Sequence, residues 1–129
     1  MNEHFRRYAE KISQAAGTVM TGTFEIEGQE FMALNGGPHF KFNEAISLFV
    51  NCATQAEVDE LWEKLTAGGQ ESQCGWLKDK FGLSWQIIPS ALGEMLSDPD
   101  RQKAGRAMQA MLKMSKIDIA ALQAAYNAD

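Results

Sequence analysis

The stretch AISLFVNCATQAEVDELWEKLTAGG, residues 45–69, decides the fold of this 129-residue chain. It opens on a run whose residues alternate between two sides. One side carries Ile46, Leu48 and Val50, and the other carries Ser47, Phe49 and Asn51. Such alternation is typical of a β-strand with one apolar face. The run therefore predicts a strand that buries one side and leaves a mixed side facing elsewhere.

A helix start follows this strand at once. Thr54 and Glu57 form a capping box, in which the threonine is the N-cap and the glutamate reaches back. An amphipathic stripe then follows at helical spacing: Val58, Leu61, Trp62 and Leu65. Gly68 and Gly69 predict the end of the helix, because glycine accepts a positive φ. We expect the stripe to pack on the apolar side of the strand.

Two further strand-like runs follow, at residues 72–78 and 83–88, and Pro89 ends the second. The segment between them, residues 79–82, predicts a turn with Gly82 in the left-handed region. Residues 45–90 thus predict a strand, a helix and then further strands.

The region before residue 45 is also rich in strand-forming residues. The runs 18–26 and 29–35 flank Glu27-Gly28, and this spacing predicts a β-hairpin. In the first sixteen residues, by contrast, Phe5, Tyr8 and Ile12 recur at helical spacing, which predicts a helix there.

The region after residue 90 is rich in Ala, Met, Lys and Gln and predicts short helices. Residues 92–96 predict a helical turn, and Ser97-Asp98-Pro99 predicts a helix start. The stripe of that helix is Ala104, Met108, Met111 and Leu112. A second start at Asp118 leads to Ile119, Leu122 and Tyr126. We expect these helices to pack on the sheet or on a neighbouring subunit.

Composition limits the classes of protein to which the chain belongs. Hydrophobic residues make up 45% and charged residues 22%, which is typical of one globular domain with a core. Twelve Lys and Arg against seventeen Asp and Glu give a net charge of −5, which disfavours nucleic acid and anionic membranes as partners. No apolar run approaches the roughly 20 residues of a membrane span.

The N-terminus and the cysteines together predict a cytoplasmic location. The first residues, MNEHFRR, carry no apolar stretch after their charges and do not have the pattern of a signal peptide. Cys52 and Cys74 are too few for a disulfide framework and form no CxxC pair. We expect two reduced, structural thiols.

Several longer segments resemble a known family. They are residues 17–21, 28–38 and 40–47, and above all QCGWLKDKFGLSWQ, residues 73–86. These segments resemble the PhnB-like family, often labelled demethylubiquinone methyltransferase-like, of the vicinal oxygen chelate (glyoxalase/bleomycin resistance) superfamily. The resemblance extends over roughly residues 7–126.

The resemblance implies an α+β fold of paired βαβββ modules whose sheets curl around a cup. It divides a single domain, residues 1–129, into a truncated first module (1–38), a complete second module (39–90) and a helical extension (91–129). Family members begin with a strand and a helix before the position that Arg7-Tyr8 matches, so both elements are expected to be missing here. Either the copy is truncated or residues 2–15 serve as a helix. In both cases a sheet edge is exposed, and we expect a homodimer to cover it.

The resemblance also implies where a metal would bind. Superfamily enzymes hold a divalent metal with His or Glu from the first and last strands of each module. The matching positions here are Ala45 and Gln86, and a position near Met32 in the first module. Alanine has no donor atom and a neutral amide is a weak ligand, so we expect neither metal nor other cofactor.

Strand alternation selects a candidate ligand site instead. The side chains expected on the cup side are Ser47, Phe49, Asn51, Ser84 and Gln86, with Trp76 and Cys74 as further candidates. His39, in the loop after Gly36-Gly37-Pro38, is a candidate at the mouth of the cup or an ordinary loop histidine. Phe49 and Trp76 are equally typical of a core. Trp62 and Trp85 are expected on the helix side.

Three functions remain open at this point. The first is a small-molecule binding protein without metal. The second is an uncharacterised enzyme of the superfamily that uses side chains alone, with its catalytic residues unknown. The third is a truncated, non-catalytic interaction protein. The methyltransferase label finds no support in a nucleotide motif, because no GxGxxG occurs and the Gly36-Gly37-Pro38 loop lacks the residues of a phosphate-binding loop.

Overall fold

The computed structural model describes residues 4–7 and 17–129, and these divide into two units, residues 1–41 and 42–129. The described part of the first unit holds the strands β1 (His4–Arg7), β2 (Val19–Ile26) and β3 (Gln29–Leu34). The second unit holds β4 (Ser47–Cys52), α1 (Gln55–Thr66), β5 (Gln70–Glu71), β6 (Trp76–Lys78), β7 (Ser84–Pro89), α2 (Ser90–Leu96), α3 (Arg101–Met111) and α4 (Ile119–Tyr126).

The first unit is an antiparallel sheet with the strand order β1-β2-β3. Strands β2 and β3 form the predicted hairpin, in which Phe24 pairs with Phe31 and their rings stack 5.5 Å apart. The turn residues Glu27 and Gly28 both have positive φ, of 50° and 79°, as the tight two-residue turns of hairpins require.

The predicted helix in the first sixteen residues is wrong where the structure describes them. His4–Arg7 form β1 and pair antiparallel with β2, with His4 opposite Thr23. A short segment forms a marginal helix on its own, whereas the edge of β2 offers a complete row of backbone partners. The remainder of that prediction, over residues 1–3 and 8–16, lies outside the described residues.

The second unit begins with the strand and helix that the sequence predicts. The Thr54 hydroxyl accepts from the Glu57 amide at 3.2 Å, and the Glu57 carboxylate accepts from the Ala53 amide at 2.8 Å. Helix α1 ends at Thr66, and Gly68 follows with a φ of 74°. The helix connects β4 to β5. Both strands belong to a four-stranded sheet with the order β4-β7-β6-β5, in which β4 and β7 are parallel and the other neighbours are antiparallel.

The core of this unit lies between α1 and one face of the sheet. Its buried members are Cys52, Val58, Trp62, Leu77 and Ile87, and Val50, Leu61, Leu65 and Trp85 pack against them. The predicted orientation of β4 and β7 is thereby confirmed for Val50, Trp85 and Ile87.

Two residues of the second unit differ from the prediction. Ile46 precedes the first residue of β4 and is 72% exposed, because no strand extends the alternation to it. Leu61 is half-buried, and Val58 and Trp62 are the buried residues of the stripe.

Only residues 76–78 of the strand predicted for residues 72–78 form a strand in the structure. Strand β5 ends at Glu71 and β6 begins at Trp76, and Cys74 and Gly75 between them have φ values of 59° and 84°. Glycine is favoured at position 75, because its φ is positive and a Cβ would lie 3.0 Å from the backbone carbonyl oxygen of Ile87. The predicted left-handed Gly82 is confirmed, with a φ of 85°.

The three C-terminal helices form a second core, made of Leu92, Met95, Ala107, Ile117 and Leu122. Asp118 caps α4 as predicted and accepts from the Ala121 amide. Helix α3 starts later than predicted. Its N-cap is Asp100, and Asp98 forms a turn before it by accepting from the Asp100 amide at 2.8 Å.

The buried face of α3 also differs from the predicted stripe. Ala104 and Ala107 are buried, whereas Met108 and Leu112 are exposed. The small alanine side chains let α3 approach the neighbouring helices closely, and of the larger residues in the predicted stripe Met111 packs against their core.

The C-terminal helices are joined to their own chain's sheet through Ile88 of β7, which packs against the helical core. The Gln55 side chain, at the start of α1, donates to the Ile117 carbonyl at 3.0 Å and accepts from the Ile119 amide at 2.8 Å. The amides of Cys74 and Gly75 donate to the carbonyls of Met114 and Ser115. Among the described residues, no helix has the length and hydropathy that a membrane span needs.

The core predicts a contrast between two leucines. Replacing Leu77, which is 1% exposed, with alanine should lower the free energy of unfolding by about 2–5 kcal/mol, because the side chain is buried under α1. Replacing Leu112, which is 52% exposed, should change it by less than about 0.5 kcal/mol. Urea unfolding followed by tryptophan fluorescence measures both. A similar loss for the two variants would contradict this assignment of the core.

Candidate functional site

The candidate site is the face of the second unit's sheet that points away from α1. Register places side chains of three neighbouring strands in rows across this face, because paired residues of adjacent strands point to the same side. One row holds Phe49, Gln86 and Trp76, and the next holds Ser47, Ser84 and Lys78. Asn51 lies on the same face, opposite Ile88. We call these side chains the open face.

Accessibility separates the open face from the core side. Phe49 is 60% exposed, whereas its chain neighbour Val50 packs in the α1 core. Gln86 and Trp76 are half-buried. A core role for Phe49 is therefore wrong for this chain, and its ring is a large apolar surface within a mainly polar surrounding.

Hydrogen bonds fix two of the polar side chains. The Gln86 Nε2 atom donates to the Ser47 Oγ atom at 2.9 Å, which joins β7 to β4 above the backbone ladder. The Ser90 hydroxyl, at the start of α2, lies 3.2 Å from the Asn51 Oδ1 atom and 3.3 Å from the Cys52 carbonyl oxygen, and it can donate to either. Among the residues that the structure describes, no hydrogen bond uses the oxygen of the Gln86 amide or the amino group of Asn51.

Ser84 differs from its neighbours, because it is 1% exposed. It lies on β7 between Ser47 and Lys78, in the middle of the sheet. Its Oγ atom is buried and has no hydrogen-bond partner among the described residues. Buried hydroxyl groups are normally paired, so this atom marks a place where a partner is expected.

Sequence reasoning missed the charge on this face. Lys78 shares the face with Ser84, and its Nζ atom forms an ion pair with the Glu44 carboxylate in the turn before β4. The hydrogen bond from Lys78 lowers the pKa of Glu44. The signal was present in the sequence, because Lys78 follows Trp76 by two residues and shares its side of the strand.

The other predicted residues lie elsewhere. His39 is an exposed turn residue of the first unit. Cys74 lies in the strained turn before β6 and is half-buried. Trp62 and Trp85 belong to the α1 core, as predicted, and their indole N–H groups donate to Glu71 and Asp79.

The donor atoms present do not fit the superfamily's divalent metal. Ala45 has no ligand atom, and Gln86 offers one neutral oxygen while its nitrogen donates to Ser47. In the part of the chain that the structure describes, no group of three or more His, Cys, Asp or Glu side chains could hold a metal ion. We therefore derive no chemistry through a metal.

A second concave surface lies on α3 and α4, away from the predicted residues. It is a shallow groove of about 620 Å³, and it is lined by the cations Arg101, Arg106 and Lys113 and by small residues such as Gly105 and Ala125. The Arg106 guanidinium donates to the carbonyls of Ala125 and Tyr126, so it also closes the C-terminal end of α4.

Comparisons with known proteins agree with this fold. The family model described as 3-demethylubiquinone-9 3-methyltransferase matches residues 2–88. A PhnB protein from Bacillus cereus, provisionally assigned the same activity, is 35% identical with a TM-score of 0.61, over 67% of this chain and 77% of that chain. Protein PA1353 from Pseudomonas aeruginosa shares the fold at 17% identity and a TM-score of 0.53, over 68% and 77% of the two chains. No curated protein matches this chain significantly.

The strand–helix–strand order of β4 to β7, with α1 on one face, defines a protein of glyoxalase-like α+β fold. Within this class the chain belongs to the PhnB-like family of 3-demethylubiquinone-9 3-methyltransferase-like proteins.

The two sides of β4 predict different thiol reactivities. In a Cys74→Ser background, Phe49→Cys should react with a soluble aromatic disulfide several-fold faster than Val50→Cys, because only the first thiol faces away from α1. The native Cys52 is buried and supplies the slow reference, and burial raises the pKa of its thiol. Equal or reversed rates would mean that the register of β4 is shifted by one residue.

Proposed function

We propose that this protein binds a small organic molecule on the open face of its glyoxalase-like sheet and does so without a metal. The exposed Phe49 ring beside the fixed Gln86–Ser47 pair is the observation that supports this function. An aromatic surface next to a few oriented polar groups is the usual composition of a small-molecule site. The proposed contacts are Ser47, Phe49, Asn51, Trp76, Ser84 and Gln86, all on strands of the second unit.

Methyl transfer, which the family description and the Bacillus cereus relative carry in their names, finds less support in these residues. A nucleotide-type methyl donor would need a glycine-rich strand–helix turn, and the turn from β4 into α1 reads Cys52-Ala53-Thr54 instead. The ionisable side chains at the open face are Lys78 and Glu44, which pair with each other. Binding therefore explains the composition of this face better than acid–base catalysis does.

The proposal includes a homodimer in the cytoplasm. Met32 and Leu34 on β3 are 70% and 69% exposed, and none of residues 17–41 is buried. Strands β2 and β3, which bury none of their side chains, gain little stability from their own packing. A second copy of the chain would cover this apolar surface and the strand edges beside it.

A double substitution tests the binding site. Asn51→Leu with Gln86→Leu should abolish binding of small aromatic amides and carboxylates, because the open face loses both amide groups. The circular dichroism spectrum should stay unchanged, since both side chains lie outside the core. Gln109→Leu with Gln123→Leu, which alters two exposed amides on α3 and α4, is the control. Ligand-observed NMR measures the binding, and unchanged binding by the Asn51 and Gln86 variant would refute the proposed site.

Sedimentation equilibrium tests the assembly. The wild-type protein should sediment at twice the 14.3 kDa of one chain at micromolar concentration. Met32→Lys with Leu34→Lys should shift it to the monomer, because two charges would enter the proposed contact. Met108→Lys, on the exposed side of α3, should leave the dimer intact. A monomeric wild-type chain would rule out this part of the proposal.

A further inference from the structure

We infer that the ligand of the open face carries an anionic oxygen group, such as a carboxylate, on a planar body. This inference rests on the proposed small-molecule function and names the class of ligand. It follows from the order of the two rows of side chains. The row Ser47, Ser84 and Lys78 can hold an anion, and the adjacent row Phe49, Gln86 and Trp76 can hold a planar group.

The buried hydroxyl of Ser84 is the first observation. The Oγ atom has no hydrogen-bond partner among the described residues, and it is buried on the middle strand of the face. A ligand atom that reached it would accept a hydrogen bond from a donor that is otherwise unused. An anionic oxygen is the strongest such acceptor.

The placement of Lys78 is the second observation. It is the one cationic side chain on β4, β6 and β7, and it lies directly beside Ser84 in the register. Its ion pair with Glu44 uses one of the three donors of the ammonium group. The lysine side chain is 36% exposed and that of Glu44 is 60% exposed, so a ligand could approach the ammonium group while Glu44 stays in water.

The neighbouring row, Phe49, Gln86 and Trp76, would contact the planar part of the ligand. Successive residues on one face of a strand lie about 7 Å apart, so a carboxylate held by one row leaves its attached aromatic ring beside the other row. The rings of Phe49 and Trp76 flank Gln86, whose amide oxygen is available because its nitrogen donates to Ser47. An aryl carboxylate therefore matches both rows at once.

The experiment compares aryl carboxylates with their primary amides, using benzoate with benzamide and indole-3-acetate with indole-3-acetamide, on the full chain by NMR titration. Each carboxylate should bind more tightly than its amide, and raising the salt concentration should lower the affinity of the carboxylates alone. Lys78→Met should reduce carboxylate affinity about tenfold and leave the amides unchanged. Lys78→Arg should retain the preference for carboxylates.

Two further variants separate the roles. Ser84→Ala should lower the affinity for the carboxylate probes alone. Glu44→Gln should raise their affinity, because the Glu44 carboxylate no longer competes with the probe for Lys78. Lys64→Met breaks the equivalent Glu60 pair on α1 and should change nothing. Circular dichroism checks that each variant is folded.

Three outcomes would contradict the inference. Equal affinity for carboxylates and amides would overturn this inference and leave the proposed binding function intact. If Lys113→Met removes carboxylate binding and Lys78→Met does not, the anion binds in the α3–α4 groove. That result would also overturn the inference. Failure of all four probes to perturb the Trp76 indole signal would overturn the inference and the proposed function together.

Discussion

The parallel pairing of β4 with β7 is the constraint on which the second unit depends. It places Ser47 beside Ser84 and Cys52 beside Pro89, and so fixes which side of each strand faces α1. A parallel pair cannot be closed by a tight turn, so the chain must cross over the sheet, and α1 is that crossover. A shift of one residue would exchange the core-facing Val50 and Ile87 with Phe49 and Gln86. The core and the open face are thus two results of a single register.

The sequence predicts this part well because several local signals agree there. The Thr54–Glu57 capping box, the stripe through Val58 and Trp62, and the alternation in β4 each favour the same arrangement, and the structure has all three. The family and the α+β fold could also be predicted, since long segments around residues 73–86 carry the resemblance and the comparisons confirm it. Agreement among local signals is what makes a segment predictable.

The predictions from the sequence are wrong where contacts with distant parts of the chain oppose the local signals. Residues 4–7 carry helical spacing, yet β2 pairs with them as a strand. The break between β5 and β6 depends on Cys74 and Gly75 bonding to Met114 and Ser115, forty residues further along the chain. The site was predicted in part. Alternation correctly placed Phe49 and Gln86 on one face, but the buried, unpaired state of Ser84 and the pairing of Lys78 with Glu44 depend on three strands at once.

Gln55 has a consequence for how the parts of this chain are held together. Its one amide both donates to the Ile117 carbonyl and accepts from the Ile119 amide, as a neighbouring strand would. A carboxylate could not donate, an ammonium group could not accept, and asparagine is one methylene shorter. The family match ends at residue 88, so Gln55 lies inside the matched segment and both of its partners lie beyond it. One neutral side chain therefore joins the matched segment to the C-terminal helices.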